Sequence, residues 1–123
     1  MSSKQGSIGW TDLTVENAEA VRDFYASVVG WTAEPVKVED HDDFMMTPAG
    51  GDGPVAGICH ALPPNTGLPA QWLMYIHVDD VDTAMQRCEA AGGSVIRRPT
   101  GTGGGRFAVI RDPAGAVCAL YQA

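Results

Sequence analysis

The chain is short of positive charge. Eight Lys and Arg stand against fifteen Asp and Glu, a formal net charge of −7 at pH 7. A surface that neutralises nucleic-acid phosphates needs a basic excess, so no nucleic-acid partner is expected, and no anionic membrane surface either. No apolar run approaches the ~18 residues that a bilayer-spanning helix requires. The opening Met1-Ser2-Ser3-Lys4-Gln5-Gly6 lacks the apolar core of a secretory signal. Cysteine is scarce and odd in number: Cys59, Cys88 and Cys118, with no CxxC spacing. That pattern fits reduced thiols in a cytoplasm, not a disulfide framework. What remains is an ordinary globular composition, 45% hydrophobic and 19% charged.

Against these absences the chain has one strong positive feature, which is a repeat. Val15-Glu16-Asn17-Ala18-Glu19-Ala20 opens a helical stretch that closes at Gly30. From Val15 to Val78, a step of sixty-three residues, the pattern returns: Val78-Asp79-Asp80-Val81-Asp82-Thr83 opens a second helix closing at Gly92-Gly93. Asn17 and Asp80 are the expected N-caps, and Gly30 the expected C′ residue. Ala18, Val21, Tyr25 and Val28, with Phe24 beside them, form the predicted buried stripe of the first helix; Val81, Ala84, Met85, Cys88 and Ala91 form that of the second. Strand-like runs precede each helix, Ile8 to Val15 and Trp72 to Val78. Others follow: Trp31 to Val38, Phe44 to Thr47 and Val55 to Ala61 in the first half, then Ser94 to Arg98, Arg106 to Arg111 and Ala116 to Tyr121. The period is too long for a solenoid repeat. It predicts an α+β chain of two paired βαβββ modules, each a mixed four-stranded sheet with a helix on one face. Module one spans about 6–62, a Pro-rich linker about 62–70, and module two about 71–123, all within a single domain over 1–123.

Alternation along strands then suggests a ligand face. In the fifth strand Trp72, Met74, Ile76 and Val78 share an apolar face expected to pack on the second helix. Gln71, Leu73, Tyr75 and His77 share the other, mostly polar or amphipathic. In the first strand Leu13 and Val15 are expected to face the first helix, and Trp10, Asp12 and Thr14 a cavity. The plainer alternative is that the mixed faces are simply solvated.

The runs Ile8-Gly9-Trp10-Thr11-Asp12-Leu13-Thr14-Val15, Phe24-Tyr25 and Gly30-Trp31 resemble the opening module of the vicinal oxygen chelate superfamily. Its members include glyoxalase I, bleomycin-resistance proteins and extradiol dioxygenases. Val78-Asp79-Asp80-Val81-Asp82, Ala91-Gly92-Gly93, Gly105-Arg106-Phe107-Ala108 and Asp112-Pro113-Ala114-Gly115 resemble its second module. The resemblance implies a glyoxalase/bleomycin-resistance-like fold with curved mixed sheets around a central cavity, and often a homodimer. It also implies four inward metal-ligand positions. Here they fall on Trp10, Leu73, Ala119 and Gly57 or Cys59. None is a histidine or carboxylate, so no metal cofactor is expected at the usual place.

The expected function is therefore small-molecule binding without the usual metal ligands. The candidate ligand-binding residues are Trp10, Asp12, Cys59, Leu73, Tyr75, Ala119, Tyr121 and Arg106. Trp10 either stacks on a planar ligand or fills the cavity. Asp12 and His77 are the candidate catalytic pair of the alternative, a glyoxalase-like lyase or isomerase or a dioxygenase-type enzyme, with these two residues or with relocated metal ligands. Asp12 could equally be a hydrogen-bonded structural acid, and His77 an exposed or capped histidine. Cys59 and His60 alternate in direction, which excludes a local Cys–His dyad. The run Glu39-Asp40-His41-Asp42-Asp43 lacks EF-hand spacing and reads as a solvated turn. Pro99 to Gly105 reads as a mobile glycine-rich loop, with neither the ending nor the following helix of a phosphate loop.

Overall fold

Ten elements form two βαβββ runs: β1 (Ile8–Val15), α1 (Ala18–Val29), β2 (Thr32–Val38), β3 (His41–Thr47) and β4 (Ala56–His60), then β5 (Trp72–His77), α2 (Val81–Ala90), β6 (Ser94–Arg97), β7 (Arg106–Arg111) and β8 (Val117–Gln122). The computed structural model describes residues 4–63, 65–99 and 105–123. Most of the expected glycine-rich loop from Pro99 to Gly105 lies outside the described residues.

The chain divides into two compact units. One is Thr11–Trp72. Its strands run in the order β2-β3-β4-β1, with β1 and β4 parallel and the others antiparallel. The other joins the residues up to Trp10 with Leu73–Ala123, and its strands run β5-β8-β7-β6 with β5 and β8 parallel. The segment before β1 thus belongs with the second βαβββ run. Gly6 N–H donates to His77 O at 2.7 Å, and His77 N–H to Ser7 O at 2.7 Å.

Each helix covers one face of its own sheet. In the unit Thr11–Trp72, Ala18 of α1 is buried with Phe44, Met46 and Ile58, and Val15, Val21, Tyr25 and Trp31 pack around them. Gly30 takes φ 77° at the helix end, the left-handed C′ conformation that glycine adopts without strain. Asn17 occupies the N-cap position, but its side chain makes no capping bond. The buried stripe also stops early: Phe24 and Val28 are exposed. In the other unit Val81 and Met85 of α2 pack with Val78, Ala108 and Leu120, and Ile76, Ala84, Val95 and Ile110 close around them. Asp80 caps α2 as expected, accepting from the N–H of Asp82 at 3.0 Å and of Thr83 at 3.4 Å.

Trp72 departs from the alternation argument. It packs on α1, not α2: its indole N–H donates to the Tyr25 hydroxyl at 3.0 Å, and the two rings lie edge to face at 5.3 Å. An aromatic cluster around Tyr25 and Trp31 takes it up, and Met74, its expected companion, is exposed. Only Ile76 and Val78 of that face pack on α2.

After α2 the chain passes close to its own sheet at Gly93. A Cβ there would sit 2.7 Å from the Arg111 carbonyl oxygen and 2.7 Å from Cys88 Sγ. Backbone cannot retreat as a flexible side chain can. Gly93→Ala should therefore lower stability by ~1–3 kcal/mol in urea unfolding. An unchanged midpoint would show that the two backbones approach less tightly than these distances require.

Candidate functional site

Paired residues on adjacent strands share a face. In β5 and β8 the register sets Tyr75 beside Ala119 and His77 beside Tyr121. In β7 it sets Val109 beside Ala119 and Phe107 beside Tyr121. Ile76, Leu120, Ala108 and Ile110 take the intervening positions and pack with α2. Leu73, Tyr75, His77, Ala119 and Tyr121 therefore lie together on the face turned away from α2. Leu73 and Ala119 are buried, and Tyr121 is 36% exposed. His77 holds its ring 3.7 Å from Asp79 Oδ1.

Two residues on this face were not among the sequence candidates. Phe107 lies 5.7 Å from Tyr75, ring to ring. The Arg97 guanidinium sits 4.5 Å above the Phe107 centroid, a cation–π contact. Phe107 was legible in principle, because alternation along Arg106–Arg111 separates it from the α2 face. Arg97 was not. The β6–β7 register passes from Val95 opposite Ile110 to Arg97 opposite Val109, skipping Ile96, and this bulge re-aims the arginine. Arg106 is turned the other way, towards α2, where its guanidinium pairs with Asp82 at 2.9 and 3.3 Å. That pairing holds the Asp82 carboxyl below its ordinary range. A groove of about 610 Å³ also lies on the α2 side, bounded by Val78, Thr83, Ala84, Arg87 and Ile110.

In the unit Thr11–Trp72, Asp12 pairs with Gly57 and Thr14 with Cys59 on the face turned away from α1. Burial raises the Cys59 thiol far above the usual thiol range, and the charges of Asp12 and Asp43 add to the effect. Trp10, half-buried, belongs by contacts to the unit that contains Leu73.

The acidic run is not a solvated turn. Only Glu39 and Asp40 make the turn, with Glu39 at φ 51°. His41, Asp42 and Asp43 belong to β3, and Asp43 is 7% exposed. The β3–β4 ladder ends at Phe44 opposite Ile58. Beyond it the Asp43 carboxylate takes over, with Oδ1 accepting the His60 N–H at 2.9 Å. His60 projects to the α1 side, where Nε2 meets Glu19 Oε1 at 3.0 Å, and the His41 ring lies 5.2 Å from the His60 ring. Burial opposes protonation of His60, but Glu19 and Asp43 outweigh it and raise its pKa overall. His41 and Asp43 were read in the sequence as part of a solvated turn and Glu19 did not stand out, because their grouping with His60 joins three elements, β3, α1 and β4.

A thiol held protonated is a poor nucleophile. In the native chain at pH 8, Cys59 should be alkylated at least ~100-fold more slowly than in urea, and its rate should still climb with pH where a free thiol has levelled off. Peptide mass spectrometry after timed labelling reads this. Fast native labelling of Cys59 would contradict its burial among acidic neighbours.

Comparison with known proteins agrees with this architecture. The family model described as Glyoxalase/Bleomycin resistance protein/Dioxygenase superfamily matches residues 7–120. The putative glyoxylase CFP32 of Mycobacterium bovis is 34% identical over 121 residues, covering 98% of this chain and 45% of its own length. The anthracycline biosynthesis protein DnrV of Streptomyces peucetius is 35% identical over 129 residues, covering 95% and 47%. The chain thus spans less than half the length of these curated relatives. Among solved structures, a methylmalonyl-CoA epimerase in complex with methylmalonyl-CoA and NH4+ shares the fold at TM-score 0.57 and 16% identity, over 95% of this chain and 94% of that one. A superfamily member from Vibrio splendidus 12B01 does so at TM-score 0.58 and 14% identity, over 90% and 94%. The two βαβββ runs and the family match over nearly the whole length lead to one conclusion: this chain belongs to the glyoxalase/bleomycin resistance protein/dioxygenase superfamily.

Proposed function

We propose that this chain binds a small planar metabolite bearing an acidic group, on the sheet face that carries Tyr75, Phe107 and Tyr121, without a metal at the superfamily's usual position. The observation that carries this reading is the Tyr75–Phe107 pair, 5.7 Å between centroids, with Arg97 over the same phenyl ring at 4.5 Å. The Tyr75 ring, tilted 43° from Phe107, offers a stacking surface, and the guanidinium held over Phe107 suits a carboxylate or a phenolate. Buried Leu73 and Ala119 supply an apolar floor. Trp10, which belongs to the same unit, remains a proposed contact of this ligand, and Asp12 and Cys59 remain proposed ligand contacts within the unit Thr11–Trp72. The usual ligand positions hold Trp10, Leu73, Ala119 and Gly57 or Cys59, a set poor in donors for a divalent ion. The same reading takes the protein as a cytoplasmic homodimer.

The relatives' names guide the choice of compounds only. A panel of aromatic acids, polycyclic phenols and small thiol conjugates should contain ligands that raise the melting temperature by mass action. Phe107→Ala should then weaken the best ligand about tenfold, or ~1.4 kcal/mol. The proposal fails if no panel member binds tighter than about millimolar, or if Phe107→Ala leaves the affinity of every ligand found unchanged.

A further inference from the structure

Three polar atoms converge at the edge where the β3–β4 ladder ends. His41 Nε2 lies 3.4 Å from Asp43 Oδ1, and His60 Nδ1 lies 3.5 Å from the same oxygen. Among the described residues neither ring nitrogen has a hydrogen-bond partner, although both are buried. His60 itself is 8% exposed. The donor atoms of the three residues all lie within 4.8 Å of one another.

The other nitrogen of His60 explains why this is unusual. Nε2 faces the Glu19 carboxylate at 3.0 Å. A carboxylate only accepts, so Nε2 carries the proton. In the neutral ring Nδ1 is then a lone pair. That lone pair lies 3.5 Å from a carboxylate oxygen which already accepts the backbone His60 N–H. Two acceptors facing each other in a buried place are unfavourable, and a cation between them removes the conflict.

The spacing suits such a cation. Zinc bound at about 2.0–2.1 Å in a tetrahedron has its ligand atoms about 3.3–3.4 Å apart. The two edges at Asp43, 3.4 and 3.5 Å, come close to that length, and the third lies within 4.8 Å. Two imidazoles and a carboxylate favour a first-row divalent ion over Mg²⁺ or Ca²⁺, which prefer all-oxygen shells. Glu19 stands where a supporting carboxylate orients a metal-bound histidine. We propose that His41, Asp43 and His60 form a divalent transition-metal site, with zinc as its reference ion and Glu19 orienting His60. The site lies where the β3–β4 ladder ends, and His60 reaches from it towards Glu19 of α1. Its ligands are not the residues at the superfamily's usual positions: His60 follows Cys59 by one residue and faces the other way, although Asp43 also neighbours the Cys59 thiol. A bound ion would tie β3 and β4 together, and Glu19 would link α1 to them.

The test uses untagged chain stripped with EDTA. Titration calorimetry with ZnCl2 should show one ion per chain. Glu19→Gln should weaken binding by about 10–100-fold, and His41→Gln and Asp43→Asn by more, with folding checked by circular dichroism. A measurement on the unaltered chain keeps the result independent of any folding defect. In ¹⁵N-imidazole spectra, zinc should shift His60 Nδ1 and His41 Nε2 and leave the His77 nitrogens in place. Absence of stoichiometric uptake overturns the site. So does zinc that shifts His77 instead, or binding that survives both His41→Gln and Asp43→Asn.

Discussion

A single helix covers one face of four strands in each half of this chain. The rest of the molecule is organised by that constraint, because side chains alternate across a strand and only one set can meet the helix. In one unit Ile76, Val78, Ala108 and Leu120 pack with Val81 and Met85 of α2. In the other, Val15, Phe44, Met46 and Ile58 gather around Ala18 of α1. The remaining residues of the same strands have no helix to meet. Chemistry is free to collect there, and the two units use their opportunities differently.

The β5–β8 sheet presents aromatic rings and an arginine. The unit Thr11–Trp72 concentrates charge where its ladder stops. Asp43 is the pivot of that region: its carboxylate stands in for a missing backbone acceptor, faces two imidazoles, and helps keep the Cys59 thiol protonated. A buried acid with that many neighbours is costly unless its partners are held in place. The hydrogen bond from the His60 N–H and the contact between His60 and Glu19 supply that hold.

Local patterns in the sequence reached the fold well. The Asp80 cap, the Gly30 terminus and the order of strands and helices are properties of short segments, and they appear as read. Failures came where a distant partner outweighed the local pattern. Trp72 has the right parity for α2, but its indole finds the Tyr25 hydroxyl, forty-seven residues away on α1. Val28 and Phe24 have helical spacing, yet α1 buries little beyond Tyr25. The run from Glu39 to Asp43 is acidic enough for a turn, but its last three residues pair in register with Val36 to Val38. Arg106 looked available until Asp82, twenty-four residues away, claimed it. Part of the aromatic face was readable by alternation. Arg97 was hidden by a bulge, which no propensity reveals, and the His41–Asp43–His60 group needed β3 and β4 side by side.

The functional reading turns on whether a small molecule binds at the face opposite α2. Intermolecular nuclear Overhauser effects between a bound aromatic acid and the isotope-labelled chain decide this without any substitution. Contacts to the Tyr75 and Phe107 rings and to the Ala119 methyl group are expected. Contacts confined to Thr83, Ala84 and Ile110, which bound the groove beside α2, would contradict it.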